Sequence, residues 1–204
     1  MGWFWLIAVI ALWGAVHSWL ASLPVKAFVR NRLGATASCA YRLAYNGLSM
    51  LTFMPIVILA RVLPDQRLYG VPAPWSYLML AGQVSAILVL VVVLLQTDPL
   101  SFIGLRQMFE GERASGLVTN GFYRWVRHPL YLFGLLVLWL TPVMTLNMLV
   151  AFLSMTAYLL VGAAFEERKL MHEFGAAYAD YRARTPMIIP LTPTRGGRAS
   201  DRKS

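Results

Sequence analysis

The stretch that decides the fold is "GFYRWVRHPLYLFGLLVLWLT", residues 121–141, where charged residues stand directly before an apolar run. The run from Leu130 to Thr141 makes about 18 Å of helix, whereas a hydrocarbon core of about 30 Å requires about 20 residues. After "LTPVMTLN" a second apolar stretch continues to Phe165. We therefore predict a helical hairpin made of a short fourth helix and a longer fifth helix.

Three more apolar stretches precede this hairpin, at Trp3–Leu23, Leu43–Leu63 and Trp75–Leu95. Each is long enough for one membrane span. Charged residues make up 13% of the chain, against about 25% in soluble proteins. The first stretch lacks a basic start and exceeds the usual signal-peptide core, so we interpret it as a retained helix. The sequence predicts an all-α integral membrane bundle of five transmembrane helices.

The basic residues predict the orientation of this bundle. Of the 18 Lys and Arg residues, 16 follow the first, third and fifth predicted helices, and only Arg61 and Arg67 fall on the other side. Because basic loops remain cytoplasmic, the N-terminus is expected outside and the C-terminus and active site in the cytoplasm. The net charge of +9 then reflects topology and contact with membrane lipid headgroups. Nucleic-acid binding is not indicated.

The chain divides into three predicted regions. Residues 1–104 form an amino-terminal three-helix membrane region, 105–190 a core that ends in a cytoplasmic helix, and 191–204 a disordered basic tail. In "EERKLMHEFGAAYADYRARTP" the apolar residues recur three or four apart, which predicts one amphipathic helix. Gly175 weakens this helix and Pro186 marks its limit. The long loop of mixed polarity, residues 97–121, is typical of a functional loop.

Residues at the start of the fourth helix conflict with its dipole. Pro129 suits the first turn, but Arg127 and His128 place positive charge at a helix N-terminus, where it is unfavourable. An anion bound to the free backbone amides would remove the conflict. The simpler alternative is that Arg127 reaches lipid phosphate and His128 caps the helix.

Two adjacent carboxylates, Glu166 and Glu167, end the fifth helix, and a hairpin would return them to this neighbourhood. They could belong to an ordinary charged helix end or form a salt bridge with Arg127. Two Glu and one distant His make a poor metal-ligand set, so no metal is predicted. The groups together suit a zwitterion, with Tyr123 and Tyr131 available for an aromatic base or a sulfonium. S-adenosylmethionine carries all of these groups.

The strings "GLVTNGFYRWVRHPLY" and "EERKLMHEFGAAYADYRARTP" resemble the isoprenylcysteine carboxyl methyltransferase and phospholipid methyltransferase superfamily of membrane enzymes. The resemblance covers about residues 105–190 and implies S-adenosylmethionine as cofactor. It implies these cofactor contacts: Gln107, Leu117, Val118, Tyr123, His128, Pro129, Tyr131 and Glu167. Glu166 and Arg127 are expected as their neighbours in the cofactor site.

One difference between this chain and that superfamily bears on the identity of the methyl acceptor. Prenylcysteine carboxyl methyltransferases carry an Arg about one turn before the glutamate pair, where this chain has Gly162 and Ala163 in "LLVGAAFEE". A guanidinium clamp for a carboxylate cannot be replaced by a methyl group. "FIGLRQ", "WLTPVMT" and "TAYLLVGAAFEER" are instead similar to methanethiol S-methyltransferases, although those read Asn-His where this chain has "QTDPLSF". We expect methylation of a small or lipophilic thiol, with prenylcysteine carboxyl or phospholipid methylation as alternatives.

Candidates for shaping the acceptor side are Arg168, Tyr181 and Arg182. A nearby Arg or protonated His would favour the thiolate form of the acceptor. The alternative for these three is interfacial anchoring of the last helix.

A different class of function is suggested by His17 in the first helix, because ionisable groups inside membranes are functional suspects. "HSWLAS" and "YRLAYN" resemble methanethiol S-methyltransferases, accessory proteins of nitrite and nitric-oxide reduction, and a haem-containing carotene isomerase. His17 could be a haem ligand, in which case the protein would be a haem-binding isomerase or accessory protein. It could also be a neutral His hydrogen-bonded to Ser or a backbone carbonyl.

Overall fold

The computed structural model describes residues 2–97 and 116–190. In chain order its elements are α1 (Gly2–Ala21), α2 (Leu23–Val62), β1 (Arg67–Gly70), α3 (Trp75–Gln96), a 3₁₀ helix (Gly121–Arg124), α4 (Pro129–Trp139), β2 (Val143–Thr145), α5 (Leu146–Phe174) and α6 (Ala176–Arg184). The tail 191–204 and most of the loop 97–121 lie outside the described residues.

Within residues 2–97 and 116–190, four helices are long and apolar enough to cross a membrane: Gly2–Ala21, Ala40–Val62, Trp75–Gln96 and Leu146–Phe174. The predictions of a helical, multi-pass membrane protein and of the first three spans are confirmed. The predicted fourth span is α4, which has only 11 residues. A fifth crossing is therefore not confirmed, because 11 residues give about 17 Å of helix.

In "SLPVKAFVRNRLG", apolar residues at helical spacing among basic ones predict a short interfacial helix, and α2 begins with this stretch. The backbone of α2 leaves the helical conformation at Gly34, with φ 83° and ψ −179°. This break separates the basic first part of α2 from the apolar span Ala40–Val62.

A two-stranded sheet that the sequence did not predict interrupts the hairpin. β1 pairs antiparallel with β2, with Arg67 opposite Thr145 and Gly70 opposite Val143. Asp65 secures the junction, since its Oδ1 accepts from the amide of Asn147 at 2.9 Å. The stretch "LTPVMTLN" thus follows the end of α4 and contains β2. Thr145 then caps the start of α5, because its hydroxyl accepts from Met148 N.

The two helices of the hairpin pack mainly against different helices, α4 against α3 and α5 against α1 and α2. α4 lies on α3, where the Gln83 side chain donates to the Val137 carbonyl at 2.6 Å. α5 packs against α1 and α2 beside the buried cluster of Leu6, Ile10 and Ile56. The space left between α3, α4 and the carboxyl end of α5 is where the candidate site forms.

Candidate active site

His128 and Pro129 place the start of α4 at the centre of the site. Pro129 is the first helical residue and His128 the N-cap, as the missing amide of proline favours. The backbone amides of Arg127 and His128 donate to the carbonyls of Pro186 and Met187, at 2.9 Å and 3.0 Å. The chain after α6 therefore runs alongside the entry to α4. His128 thus occupies the N-cap position, but its side chain makes no capping hydrogen bond.

Arg127 forms a two-pronged ion pair with Glu167. Its Nε donates to Oε1 and its Nη2 to Oε2, both at 2.8 Å, and both side chains are 8% exposed. Its Nη1 donates to the carbonyls of Thr185 and, at 3.2 Å, Arg182. Every prong of the guanidinium is used, which is the geometry that makes Arg–carboxylate pairs strong. The salt-bridge alternative is confirmed for Glu167, whose carboxylate compensates the positive charge of Arg127 beside the N-terminus of α4.

Glu167 also collects two further donors. His128 Nε2 lies 2.9 Å from its Oε1, and the fully buried Tyr178 donates to the same oxygen at 2.5 Å. Burial, then the hydrogen bond to Glu167, raises the pKa of the Tyr178 phenol, so it remains a neutral donor. Tyr178 can reach Glu167 because the chain turns sharply at Gly175, whose φ of 51° divides α5 from α6. The predicted single amphipathic helix is therefore two helices, for the reason that glycine tolerates positive φ.

A cavity of about 720 Å³ opens beside this cluster. Its volume falls within the range of small-molecule sites, about 300–1,000 Å³. The apolar wall comes largely from α3, with Leu90, Val91 and Leu94, while α4, α5 and α6 contribute the polar wall. The residues of the predicted site that line it are Leu117, Val118, Tyr123, Arg127, His128, Pro129, Tyr131, Glu166 and Tyr181.

Glu166 is the carboxylate that faces this cavity. Its side chain is 46% exposed, and its Oε2 accepts from the Tyr131 hydroxyl at 2.9 Å. The same oxygen lies 3.6 Å from His128 Nδ1. The two adjacent glutamates thus have different surroundings, with Glu167 enclosed by donors from the protein and Glu166 presented to the cavity.

Three predicted site residues lie outside the cavity wall. Glu167 is behind Arg127 and His128, Arg168 is exposed with its guanidinium 5.7 Å from the centre of the Phe165 ring, and Arg182 is 57% exposed and 3.7 Å from Glu167. Gln107 falls outside the described residues. The roles predicted for these residues stay predictions.

Other cavity residues were not identified as site residues from the sequence. Arg42 from α2, together with Lys169 and Glu173 from α5, lines the cavity. The spacing Glu166, Lys169, Leu170, Glu173 places them on one helical face, and this periodicity could have identified them. Arg42 could not have been found this way, because it is far away in sequence. Its presence also means that the cavity wall draws on both sides of the predicted region boundary at residue 104.

The Tyr181 phenol holds the 3₁₀ helix beside the cavity. Tyr181 donates to the Tyr123 carbonyl at 2.6 Å, and burial raises the pKa of both Tyr181 and Tyr123 to about 12. Gly121 permits the turn that precedes Tyr123, with φ 59°, and a Cβ there would lie 2.5 Å from the Gln96 amide oxygen. The turn therefore requires glycine.

His17 lies apart from this site, in a polar cluster between α1 and α2. Ser49 donates its hydroxyl hydrogen to the Tyr45 carbonyl at 2.7 Å, so it must accept from His17 Nδ1, 2.8 Å away. With the hydrogen on Nδ1, the neutral ring accepts at Nε2 from the Tyr45 hydroxyl. Both ring nitrogens have partners, which favours the neutral hydrogen-bonded histidine over a haem ligand.

Replacing His17 with alanine is expected to lower the free energy of unfolding by about 1–3 kcal/mol, because it leaves the Tyr45 hydroxyl without its partner. Unfolding in detergent micelles measures the change, and absorption spectra of both proteins are expected to lack a Soret band. Ser85→Ala is the matched control, since the hydrogen bond that Ser85 makes among the described residues goes to the carbonyl of Ala81 in its own helix. A Soret band that His17→Ala removes would contradict the structural role.

The chain matches proteins with named activities over part of its length. It is 46% identical over 112 residues to methanethiol S-methyltransferase 2 of Bradyrhizobium diazoefficiens, covering 52% of this chain and 43% of that protein. It is 38% identical over 129 residues to methanethiol S-methyltransferase of Crocosphaera subtropica, covering 57% and 51%. The chain thus spans about half of the length of these relatives, or less. No solved structure matches.

A longer match extends over nearly the whole chain. It is 29% identical over 200 residues to methanethiol S-methyltransferase of a Pseudomonas species, covering 93% of this chain and 74% of that protein. The family model described as NnrU protein matches residues 5–194, which include most of the first candidate span, the other three spans and the cavity wall. These matches are consistent with the membrane methyltransferase superfamily that the motifs resemble. The chain belongs to the NnrU protein family.

Proposed function

We propose that this protein is an integral membrane methyltransferase that transfers a methyl group from S-adenosylmethionine to a small or lipophilic thiol. The observation that carries the proposal is the cavity itself, which joins the Glu166 carboxylate and the Tyr123 and Tyr131 rings to an apolar wall on α3. Such a site offers hydrogen-bond acceptors and aromatic faces to a cationic, polar methyl donor. It also offers an apolar surface to a second, hydrophobic molecule.

The cavity residues fit S-adenosylmethionine with one revision of the expected contacts. Glu166 would hold the ammonium or the ribose hydroxyls, and the tyrosine rings the adenine or sulfonium. Arg127 is occupied by Glu167 and two carbonyls, so it is a poor choice for the carboxylate of the donor. Lys169 lines the cavity, and within residues 2–97 and 116–190 it has no ion-pair partner. We therefore assign the donor's carboxylate to Lys169.

S-adenosylmethionine supplies a methyl group already activated on sulfur, so the chain's residues have mainly to hold and align the reactants. The polar wall holds the donor by its charged groups. Pro129 and Leu130, at the start of α4, also line the cavity. The hydrogen bonds of Arg127 and His128 to the segment after α6 hold the start of α4 against that part of the polar wall.

A thiol acceptor is supported by the residues that precede the glutamate pair. Ala163 is fully buried, and Gly162 carries no side chain to reach a substrate carboxylate. The relatives' names point the same way. An apolar acceptor would approach along Leu90, Val91 and Leu94 from the bilayer. The donor would enter from the cytoplasmic side, in the orientation that the basic loops predict.

The deciding experiment is calorimetry of the purified protein with S-adenosylhomocysteine, the product form of the donor. Wild type is expected to bind, and Glu166→Gln to bind at least tenfold more weakly, since a charge-assisted hydrogen bond is worth about 1.5–3 kcal/mol. Asp180→Asn is the control, because Asp180 is exposed on α6 and outside the cavity. Absence of binding by folded wild type would overturn the proposal.

The acceptor is tested by labelled methyl transfer to methanethiol, a prenylcysteine analogue and an aminophospholipid. Transfer is expected to the thiol alone. Preferential transfer to the prenylcysteine analogue or the aminophospholipid would contradict the thiol acceptor, although the protein would still be a methyltransferase.

A further inference from the structure

We propose that a second cavity, between α1 and α5, binds the methyl acceptor, and that this acceptor is a thiol with an apolar substituent of up to roughly twelve carbon atoms. The inference rests on the proposed function, because it names the class of thiol that receives the methyl group. The apolar wall on α3 then serves the approach from the bilayer, and the second cavity holds the acceptor in place.

The second cavity has a volume of about 340 Å³. Three small residues of α1, Ala11, Gly14 and Ala15, line it and leave its space open. An apolar cavity of about 150 Å³ holds one benzene molecule, so this cavity has room for a group roughly twice as large, of about twelve carbon atoms. The substituent of methanethiol, a single methyl group, would leave most of this space empty.

On α5 the second cavity adjoins the cavity assigned to the methyl donor. Gly162 lines the second cavity, and Glu166, four residues later, lines the methyl-donor cavity. Phe165 and Lys169 repeat this relation. Residues four apart on a helix are neighbours on its surface, with Cβ atoms about 6 Å apart. A molecule in the second cavity therefore lies next to the methyl donor.

Tyr158 connects the two cavities. Its ring lines the second cavity and packs against Gly14, where an added Cβ would lie 3.2 Å from the ring. Tyr131 lines the methyl-donor cavity. Burial, the Glu166 carboxylate and the Tyr158 phenol together raise the pKa of the Tyr131 phenol, so the Tyr158 hydroxyl lies near the end of the second cavity that adjoins the methyl donor.

The Tyr158 hydroxyl has no hydrogen-bond partner in the part of the chain that the structure describes. Two other tyrosines of the membrane region do have partners, since Tyr41 bonds the Leu20 carbonyl and Tyr45 bonds His17. A polar group removed from water without a partner is costly. An acyl chain of the bilayer in the second cavity would leave this hydroxyl unbonded, whereas the sulfur of a thiol accepts a hydrogen bond. The hydroxyl therefore favours a thiol as occupant over a lipid chain.

Gly162→Leu tests the cavity, because it fills the space with little disturbance of the protein. A Cβ at Gly162 meets no described atom within 4 Å, and leucine is a better helix former than glycine. The ratio of kcat/KM for 1-nonanethiol to kcat/KM for methanethiol is expected to fall at least tenfold relative to wild type. Excluding two methylene groups from an apolar site already costs roughly that factor.

Gly47→Leu is the matched control. A Cβ at Gly47 also meets no described atom within 4 Å, and Gly47 is absent from the described walls of both cavities. This variant is expected to keep the wild-type ratio. Partition of each thiol into detergent micelles is the same for all variants, so it cancels in the comparison.

Tyr158→Phe tests the contact with sulfur, because it removes the hydroxyl and keeps the ring. We expect kcat/KM to fall about tenfold for both thiols, the value of one hydrogen bond to a charged group, with the ratio between them changed by less than about twofold. Affinity for S-adenosylhomocysteine is expected to be nearly unchanged, since Tyr158 is not part of the described wall of the methyl-donor cavity.

An unchanged ratio in folded Gly162→Leu would overturn the acceptor site and would mean that bilayer lipid fills the cavity. Equal activity of Tyr158→Phe and wild type would overturn the contact with sulfur. If Gly162→Leu does not fold, Ala15→Leu narrows the same cavity from α1, and an unchanged ratio there would overturn the site. The proposed function fails separately, if folded wild type binds no S-adenosylhomocysteine.

Discussion

Glu167→Gln is expected to lower the free energy of unfolding by about 3–5 kcal/mol, the usual cost of removing one partner from a buried ion pair. Glutamine has nearly the shape of glutamate but is neutral, so Arg127 keeps its charge and loses its compensation. The amide NH₂ also directs donors at groups that are themselves donors, the Arg127 guanidinium, His128 Nε2 and the Tyr178 hydroxyl. The position that must accept three donors can no longer accept them all.

Unfolding of the protein in detergent micelles, followed by calorimetry with S-adenosylhomocysteine, measures this effect. Asp180→Asn is the control, because it makes the same change of carboxylate to amide on the exposed side of α6. We expect Glu167→Gln to lose stability and cavity binding together, since Glu167 acts on the cavity through His128 and Arg127. Loss of binding with unchanged stability would show instead that Glu167 contacts the ligand directly.

Arg127→Lys is expected to lower the free energy of unfolding by about 2–4 kcal/mol, although it retains the charge. Lysine presents a single ammonium, which cannot pair with both Glu167 oxygens and at the same time reach the carbonyls of Thr185 and Arg182. Those carbonyls, like the polar atoms of the pair, are costly to leave without donors when buried. The segment after α6 would then lose its side-chain attachment to α4 and keep only two backbone hydrogen bonds, to Pro186 and Met187.

Hydrogen exchange checks this prediction locally. Faster exchange is expected for amides of residues 176–187 in Arg127→Lys, with little change in α1. Arg168→Lys provides the matched control, because Arg168 is exposed and, among the described residues, stacks on Phe165 alone. If amides of residues 176–187 exchange at the same rate in Arg127→Lys as in Arg168→Lys, Arg127 does not hold this segment.

Much of the fold followed from hydropathy alone, since a span needs only about 20 consecutive apolar residues and this property is local. The start of α4 at Pro129 followed from the missing proline amide. The sheet did not, because its strands have four and three residues, too few to show alternation. β1 and β2 are also far apart in sequence, so only tertiary packing brings Arg67 opposite Thr145.

The candidate site, like the fold, was determined in part by the sequence and in part by tertiary packing. The sequence by itself determined that Arg127, His128 and two adjacent carboxylates would converge at one end of a membrane hairpin, and its motifs indicated a methyl donor. It did not determine which carboxylate faces the cavity. Neighbouring helical residues point about 100° apart, so the rotation of α5 against α4 and α6 decides. That packing turns Glu167 towards Arg127, His128 and Tyr178, and leaves Glu166 facing the cavity.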